Sequence, residues 1–162
     1  MRPAEAFCPA VKYEEGNQKR IQHFLKVYGY CELICVVEGI HGKTKDIIEI
    51  AGLMHDIGIK VSREKYGSSA GHYQELEGPS IARNMLEELG YDESVIERVC
   101  YLIAHHHTYN NIDGIDYQIL VEADLLVNFA EKQTSAENIK KARDKVFKTK
   151  TGIKLLGETF LN

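Results

Sequence analysis

No stretch of the 162 residues approaches the roughly 18 consecutive apolar residues that a membrane-spanning helix requires, so no membrane is expected as a partner. The start, Met1-Arg2-Pro3-Ala4-Glu5, lacks the apolar core of a signal peptide, and the expected location is the cytoplasm. There is no excess of positive charge either. Twenty Lys and Arg against 24 Asp and Glu leave a net charge of −4. Nucleic-acid polymers reward a strongly positive face, so they are not expected partners, although a local basic patch for one small anion is compatible with this balance. Cys8, Cys31, Cys35 and Cys100 form no Cys-x-x-Cys pair, and reduced, mostly buried thiols are expected. Apolar and polar residues nowhere alternate for the length of a strand.

What is present is helical periodicity. The apolar fraction of 44% and charged fraction of 27% are those of a globular chain, and the length suits one domain over residues 1–162. The fold class expected is all-α, with about six or seven helices. A core over residues 17–130 would carry a C-terminal helix and tail, residues 133–162, packed on it. The first long helix is expected over 17–38, with His23, Val27, Tyr30, Ile34 and Val37 on one stripe. A second is expected over 44–57, stopped by Gly58. Residues 60–77 then read as a long connection, flexible enough to cover a site, and Pro79 as the first residue of the third helix. Asp92 suits the cap of a fourth helix that leads into His105-His106-His107, and a fifth is placed over 116–132. Ser135 opens a last helix to about residue 147.

Against this apolar background a few polar residues fall on faces that should be core. His23 lies four before Val27 on the first stripe, His55-Asp56 closes the run Ile50-Ala51-Gly52-Leu53-Met54, and Asp124 sits between Leu120 and Val127. A lone His-Asp pair is weak, since seven of each residue give about 0.3 such pairs by chance. Buried polar groups need partners, however, and three helices breaking their stripes call for a common cause. Two imidazoles and two carboxylates offer a divalent cation four ligands and offset its charge.

The order of these residues resembles the HD superfamily of metal-dependent phosphohydrolases, which carries a His on one helix, a His-Asp pair at the end of the next, and a distant Asp. The matching residues are His23 in Arg20-Ile21-Gln22-His23, His55-Asp56 in Leu53-Met54-His55-Asp56-Ile57-Gly58, and Asp124 in Glu122-Ala123-Asp124-Leu125. The resemblance implies an all-α fold and a divalent metal, Mn, Fe, Co, Ni or Zn, on His23, His55, Asp56 and Asp124. Many members hold a second ion on further His residues. The candidates here are His72, Glu75, Glu77, His105 and His106, with His106 continuing the stripe of Val99 and Ile103.

A metal so held acidifies bound water and polarises a phosphoryl oxygen, so the implied activity is hydrolysis of a phosphoester, with a nucleotide or other small phosphorylated metabolite as substrate. Asp56 is the candidate proton acceptor. Arg20, one turn before His23, and Lys60 are the candidate cations for the developing charge, while Arg63 and Lys65 individually read better as solvated. Two alternatives stay open: a nucleotide-sensing module of the same fold without turnover, and a di-iron oxygenase. Assembly with further copies of the chain also stays open.

Overall fold

The computed structural model describes residues 2–162. After a 3-10 turn over Pro3–Ala6 come α1 (Phe7–Glu14), α2 (Gln18–Glu38), α3 (Gly42–Met54), α4 (Ile59–Tyr66), α5 (Gly71–Glu88), α6 (Glu93–His105), α7 (Ile115–Glu131), α8 (Ala136–Lys145) and α9 (Lys150–Phe160). No strand occurs among the described residues, as expected of an all-α chain, and the α-helices number more than the expected six or seven. None of them is long and apolar enough to cross a membrane.

Helix ends follow local chemistry. Asn17 Oδ1 accepts the Arg20 amide and opens α2, which stops where Gly39 turns left-handed at φ 74°. Ser135 and Thr149 cap α8 and α9 in the same way. Asp92 stands at the N-cap of α6 as expected, but its side chain makes no capping hydrogen bond.

The segment 60–77 departs from expectation. Ile59–Tyr66 is a helix, Gly67–Ala70 a short link, and α5 already begins at Gly71, so Pro79 lies inside α5 and not at its start. The charge-rich α4 buries only Ile59 and Ser62, which leaves little apolar periodicity to read. α5 is held instead by close backbone approach. A Cβ on Gly58 would stand 2.8 Å from the Gly78 nitrogen, and one on Gly78 would stand 2.7 Å from Ile103 Cγ2. Gly58 therefore serves as the seat of α5 as much as the end of a helix.

α2 packs along α3 and α7, and α3 along α6 and α7, so the middle of the molecule is shared by these four. Phe24, Ile34, Ile48, Ile50, Leu102 and Leu120 are fully buried there, and Val37, expected on the inner stripe, points outward. The buried apolar set extends past residues 17–130, to Ala6 and Ala10 on one side and to Phe147 and Leu156 on the other. The tail is thus a packed helix. Cys31, Cys35 and Cys100 are buried free thiols, and Cys8 is exposed.

Candidate metal centre

α2, the turn after α3, and α7 converge on one point. His23 projects from mid-α2, His55 and Asp56 follow the last turn of α3, and Asp124 projects from mid-α7. All four are buried. His23 Nε2 stands 3.0 Å from His55 Nε2, 3.2 Å from Asp56 Oδ2 and 3.2 Å from Asp124 Oδ1. His55 Nε2 stands 3.5 and 3.3 Å from the same two oxygens.

The hydrogen bonds behind the cluster decide what it is. His23 Nδ1 donates to Glu131 at 2.9 Å and His55 Nδ1 donates to the Gly52 carbonyl at 2.9 Å. Each ring in its neutral form then carries its proton on Nδ1. Two bare Nε2 lone pairs and two carboxylate oxygens are left facing one another, an arrangement that repels unless a cation joins it. Donors about 2.1 Å from one ion stand about 3.0 Å apart at right angles and about 3.4 Å apart in a tetrahedron. His23, His55 and Asp56 therefore lie close enough together to hold a divalent ion, with Asp124 Oδ1 beside both Nε2 atoms as a fourth candidate donor. Glu131, the Gly52 carbonyl and Asn128, whose amide donates to Asp124 Oδ1 at 3.0 Å, would orient these donors.

Without a metal, protons take the role of the cation. Burial opposes the charged form of His23, but hydrogen bonds to Asp124 and Asp56 outweigh it and raise the ring to about 9. Burial likewise opposes the charge on His55, and Asp56 and Asp124 push it well above its ordinary value. The two carboxyls are held low in turn: burial works to raise them, and His55 and the neighbouring rings bring them well below the usual range.

Asp56 faces two ways. Its Oδ1 lies 3.2 Å from His106 Nε2 and 3.9 Å from His107 Nε2, a second group close enough to hold an ion. His106, fully buried, donates its Nδ1 proton to the Ile103 carbonyl at 2.8 Å and is again left with a bare Nε2. His107 differs. Its Nε2 donates to Gln74 Oε1 at 2.8 Å, and the Gln74 amide is fixed by its own bond to the Ser69 carbonyl. Burial, then the neighbouring His106, lowers His107 to about 4.

Not every expected residue arrives here. His72 lies tilted against Tyr73, and His105 bonds the Tyr101 carbonyl and stacks on that ring, as a helix-end histidine does. Glu75 is occupied by the His107 amide and the Thr108 hydroxyl, and Glu77 by Lys65 and Tyr66. Lys60 turns to the Tyr13 carbonyl and Glu15 instead of the cluster, because α4 carries it to the side of α1. Arg20 is placed as expected, with Nη1 3.5 Å from Asp56 Oδ2. His107, Gln74, Asn128 and Glu131 were not anticipated. Asp124, Asn128 and Glu131 share one face of α7 at four- and three-residue spacing, a signal that was present in the sequence.

The cluster opens on a pocket of about 330 Å³ lined by His23, Asp56 and His107. Lys19, Arg20, Arg63 and Lys132 stand on its walls, a local concentration of positive charge on a chain of net charge −4.

The family profile of the HD domain matches residues 20–146. No curated protein matches the chain. Among solved structures, a predicted HD superfamily hydrolase from an uncultured Thermotogales bacterium superposes with a TM-score of 0.68 at 21% identity, over 96% of this chain and 83% of that one. At that identity the likeness speaks for the fold alone. The profile spans most of the sequence and contains His23, His55-Asp56 and Asp124 in the expected order, and the chain belongs to the HD domain family.

Proposed function

We propose that the chain is a metal-dependent phosphohydrolase acting on a small phosphorylated metabolite. The observation that carries this reading is the set of bare imidazole nitrogens and carboxylate oxygens of His23, His55, Asp56 and Asp124 at the foot of a pocket walled by cations. A divalent ion held by these residues supplies Lewis acidity and a water of lowered pKa.

The remaining work falls to the chain itself. Lys19, Arg63 and Lys132 draw the phosphoryl group into the pocket and offset the charge that grows on its oxygens. Arg20 holds Asp56 in place and keeps positive charge beside phosphorus. Asp56, reaching the pocket floor, accepts a proton from the attacking water. Water adds to phosphorus, the bond to the leaving oxygen breaks, and the proton ends on that oxygen. A pocket near the lower end of the about 300–1,000 Å³ range of small-molecule sites suits a metabolite such as a nucleotide better than a polymer. His106 and His107 with Asp56 Oδ1 make a second ion part of the same proposal, and loading it requires His107 to leave Gln74.

Elemental analysis combined with a phosphatase and phosphodiesterase screen in added manganese, nickel or cobalt tests the reading. His55→Ala and Asp56→Ala are expected to lose bound metal and at least a thousandfold in turnover. Variants that keep both place the site elsewhere.

A further inference from the structure

The outer side of α2 carries an apolar stripe that nothing in the chain covers. Leu25, Leu33, Val36 and Val37 are exposed there, the two valines by 62% and 63%, and their three- and four-residue spacing about Gly29 puts them on one face. Every other helix has at most one large exposed apolar residue among the described residues. Single ones need no explanation, but a continuous stripe marks an interaction surface.

Gly29, in the middle of the stripe, is a second and separate observation. Glycine in a helix interior is unfavourable and calls for a reason. Gly58 and Gly78 have theirs inside the molecule, since a Cβ on the first would meet the Gly78 backbone and one on the second would meet Ile103. A Cβ on Gly29 would meet nothing within 4 Å, so nothing in its own chain requires the glycine. Close approach of a backbone from outside does require it.

Charge decides what approaches. Leu25 and Leu33 lie four residues to either side of Gly29, and Lys26 and Glu32 lie three to either side. Both charged residues are exposed, and Glu32 has no ion pair among the described residues. Lys26 gives one bond to Glu131 at 3.0 Å and keeps two further donors. A second α2 crossing antiparallel at Gly29 brings Leu25 to the level of the second copy's Leu33, and Lys26 to the level of its Glu32, with no side chain at Gly29 to hold them apart. A parallel crossing sets Lys26 beside Lys26 and Glu32 beside Glu32, and like charges repel. The stripe is thus complementary to itself in one orientation, as the shared face of a twofold dimer must be.

We infer that the outer face of α2 is the interface of a homodimer whose two copies cross antiparallel at Gly29. Lys26 links this interface to the metal centre, because the Glu131 that it bonds also holds His23 Nδ1. The inference does not depend on the hydrolase reading.

Sedimentation equilibrium of the full chain is the test. The parent is expected at twice the single-chain mass of 18.4 kDa at tens of micromolar. Gly29→Lys and Leu33→Glu are each expected to weaken association by about a hundredfold or more, because each drives a charge into the closed seam. Both positions are exposed and a Cβ on Gly29 has open space, so both variants keep the circular dichroism of the parent, which separates a lost interface from a lost fold. Lys26→Glu and Glu32→Lys singly set like charges at one level and yield single chains, whereas the two substitutions together restore the dimer. A parent that sediments as a single chain overturns the second copy as occupant and leaves the stripe to a different protein. A dimer that survives Gly29→Lys places the interface elsewhere, and a doubly substituted chain that stays single refutes the antiparallel crossing.

Discussion

Glu122 and the pair Asp56 and Asp124 are all carboxylates buried among helices, yet their oxygens meet opposite kinds of partner. Glu122, fully buried on α7, accepts hydrogen bonds from the Gln118 amide, the backbone amides of Lys148 and Thr149, and the Thr149 hydroxyl. Every partner donates. Two residues further along the same helix, Asp124 meets the bare nitrogens of His23 and His55, with a single amide from Asn128. The first carboxylate is completed by the chain and fastens α9 to α7, while the second calls for a cation from outside. One helix thus carries a structural acid and a candidate ligand acid, and the donors around each tell them apart.

The largest effect expected from breaking the contrast is on the open side. Asp124→Asn keeps the shape but removes the charge and turns an amide toward the imidazoles, so metal content falls and turnover drops by about a thousandfold or more, roughly 4 kcal/mol of barrier. Elemental analysis and the same phosphoester screen measure it. Retained metal with full turnover would show Asp124 to be as structural as its neighbour.

Next comes the closed side. Glu122→Ala strands the Thr149 and Lys148 amides and the Gln118 side chain in the interior, at a cost of about 4 kcal/mol of stability. Denaturant unfolding measures the loss, and metal bound per folded chain is expected to stay unchanged. Gly152 belongs to the same fastening: a Cβ there would overlap Glu122 Oε1, so no larger residue fits without displacing the carboxylate.

How much of this was legible in the sequence follows from the same contrast. His23, His55-Asp56 and Asp124 were visible because each breaks an apolar stripe, and a polar residue on a core face has few explanations. α2 and α6 were legible to within a residue or two, since their stripes are long and their ends carry Asn17, Gly39 and Asp92. Glu122 breaks the buried face of α7 just as Asp124 does, but apart from Gln118 its partners lie 26 and 27 residues away at the start of α9, and no local pattern announces those. α4 and the first half of α5 were read as a loop because their hold on the fold is the contact of Gly58 with Gly78, where backbone meets backbone and no apolar side chain marks the face. That misreading also misplaced Lys60, which rides on α4 toward Tyr13.

A pH series sharpens the comparison on metal-free protein. His23 is raised from 6.5 to about 9 by its carboxylates, with burial opposing, and His55 is raised as well. Groups raised in the folded state stabilise it fully below their unfolded value and cease to do so as pH climbs through the folded value. Metal-free protein should therefore lose up to about 3 kcal/mol between pH 6.5 and 9, which a set of melting curves reads directly. Metal-loaded protein should show the opposite slope, because protons compete with the ion for the same nitrogens at low pH. Identical slopes with and without metal would mean that no ion occupies the position of those protons.

The smallest effect is expected at His72, a histidine in the first turn of α5 that looks like a ligand in sequence and is not placed like one. Its ring lies tilted by 43° against Tyr73, with ring centres 4.0 Å apart, and Tyr73 stacks on Tyr66 at 4.1 Å, so its contacts belong to the packing of α5 on α4. His106 is the proper reference, since it is fully buried with its Nε2 3.2 Å from Asp56 Oδ1. His72→Ala should change metal content and turnover by less than twofold, because a partly exposed ring pair contributes about 1 kcal/mol of stability and no donor to the cluster. His106→Ala should lower the metal content under the same conditions. A His72→Ala protein that loses an ion while His106→Ala keeps it would mean that the loaded site draws α5 inward and takes its second set of ligands from that helix.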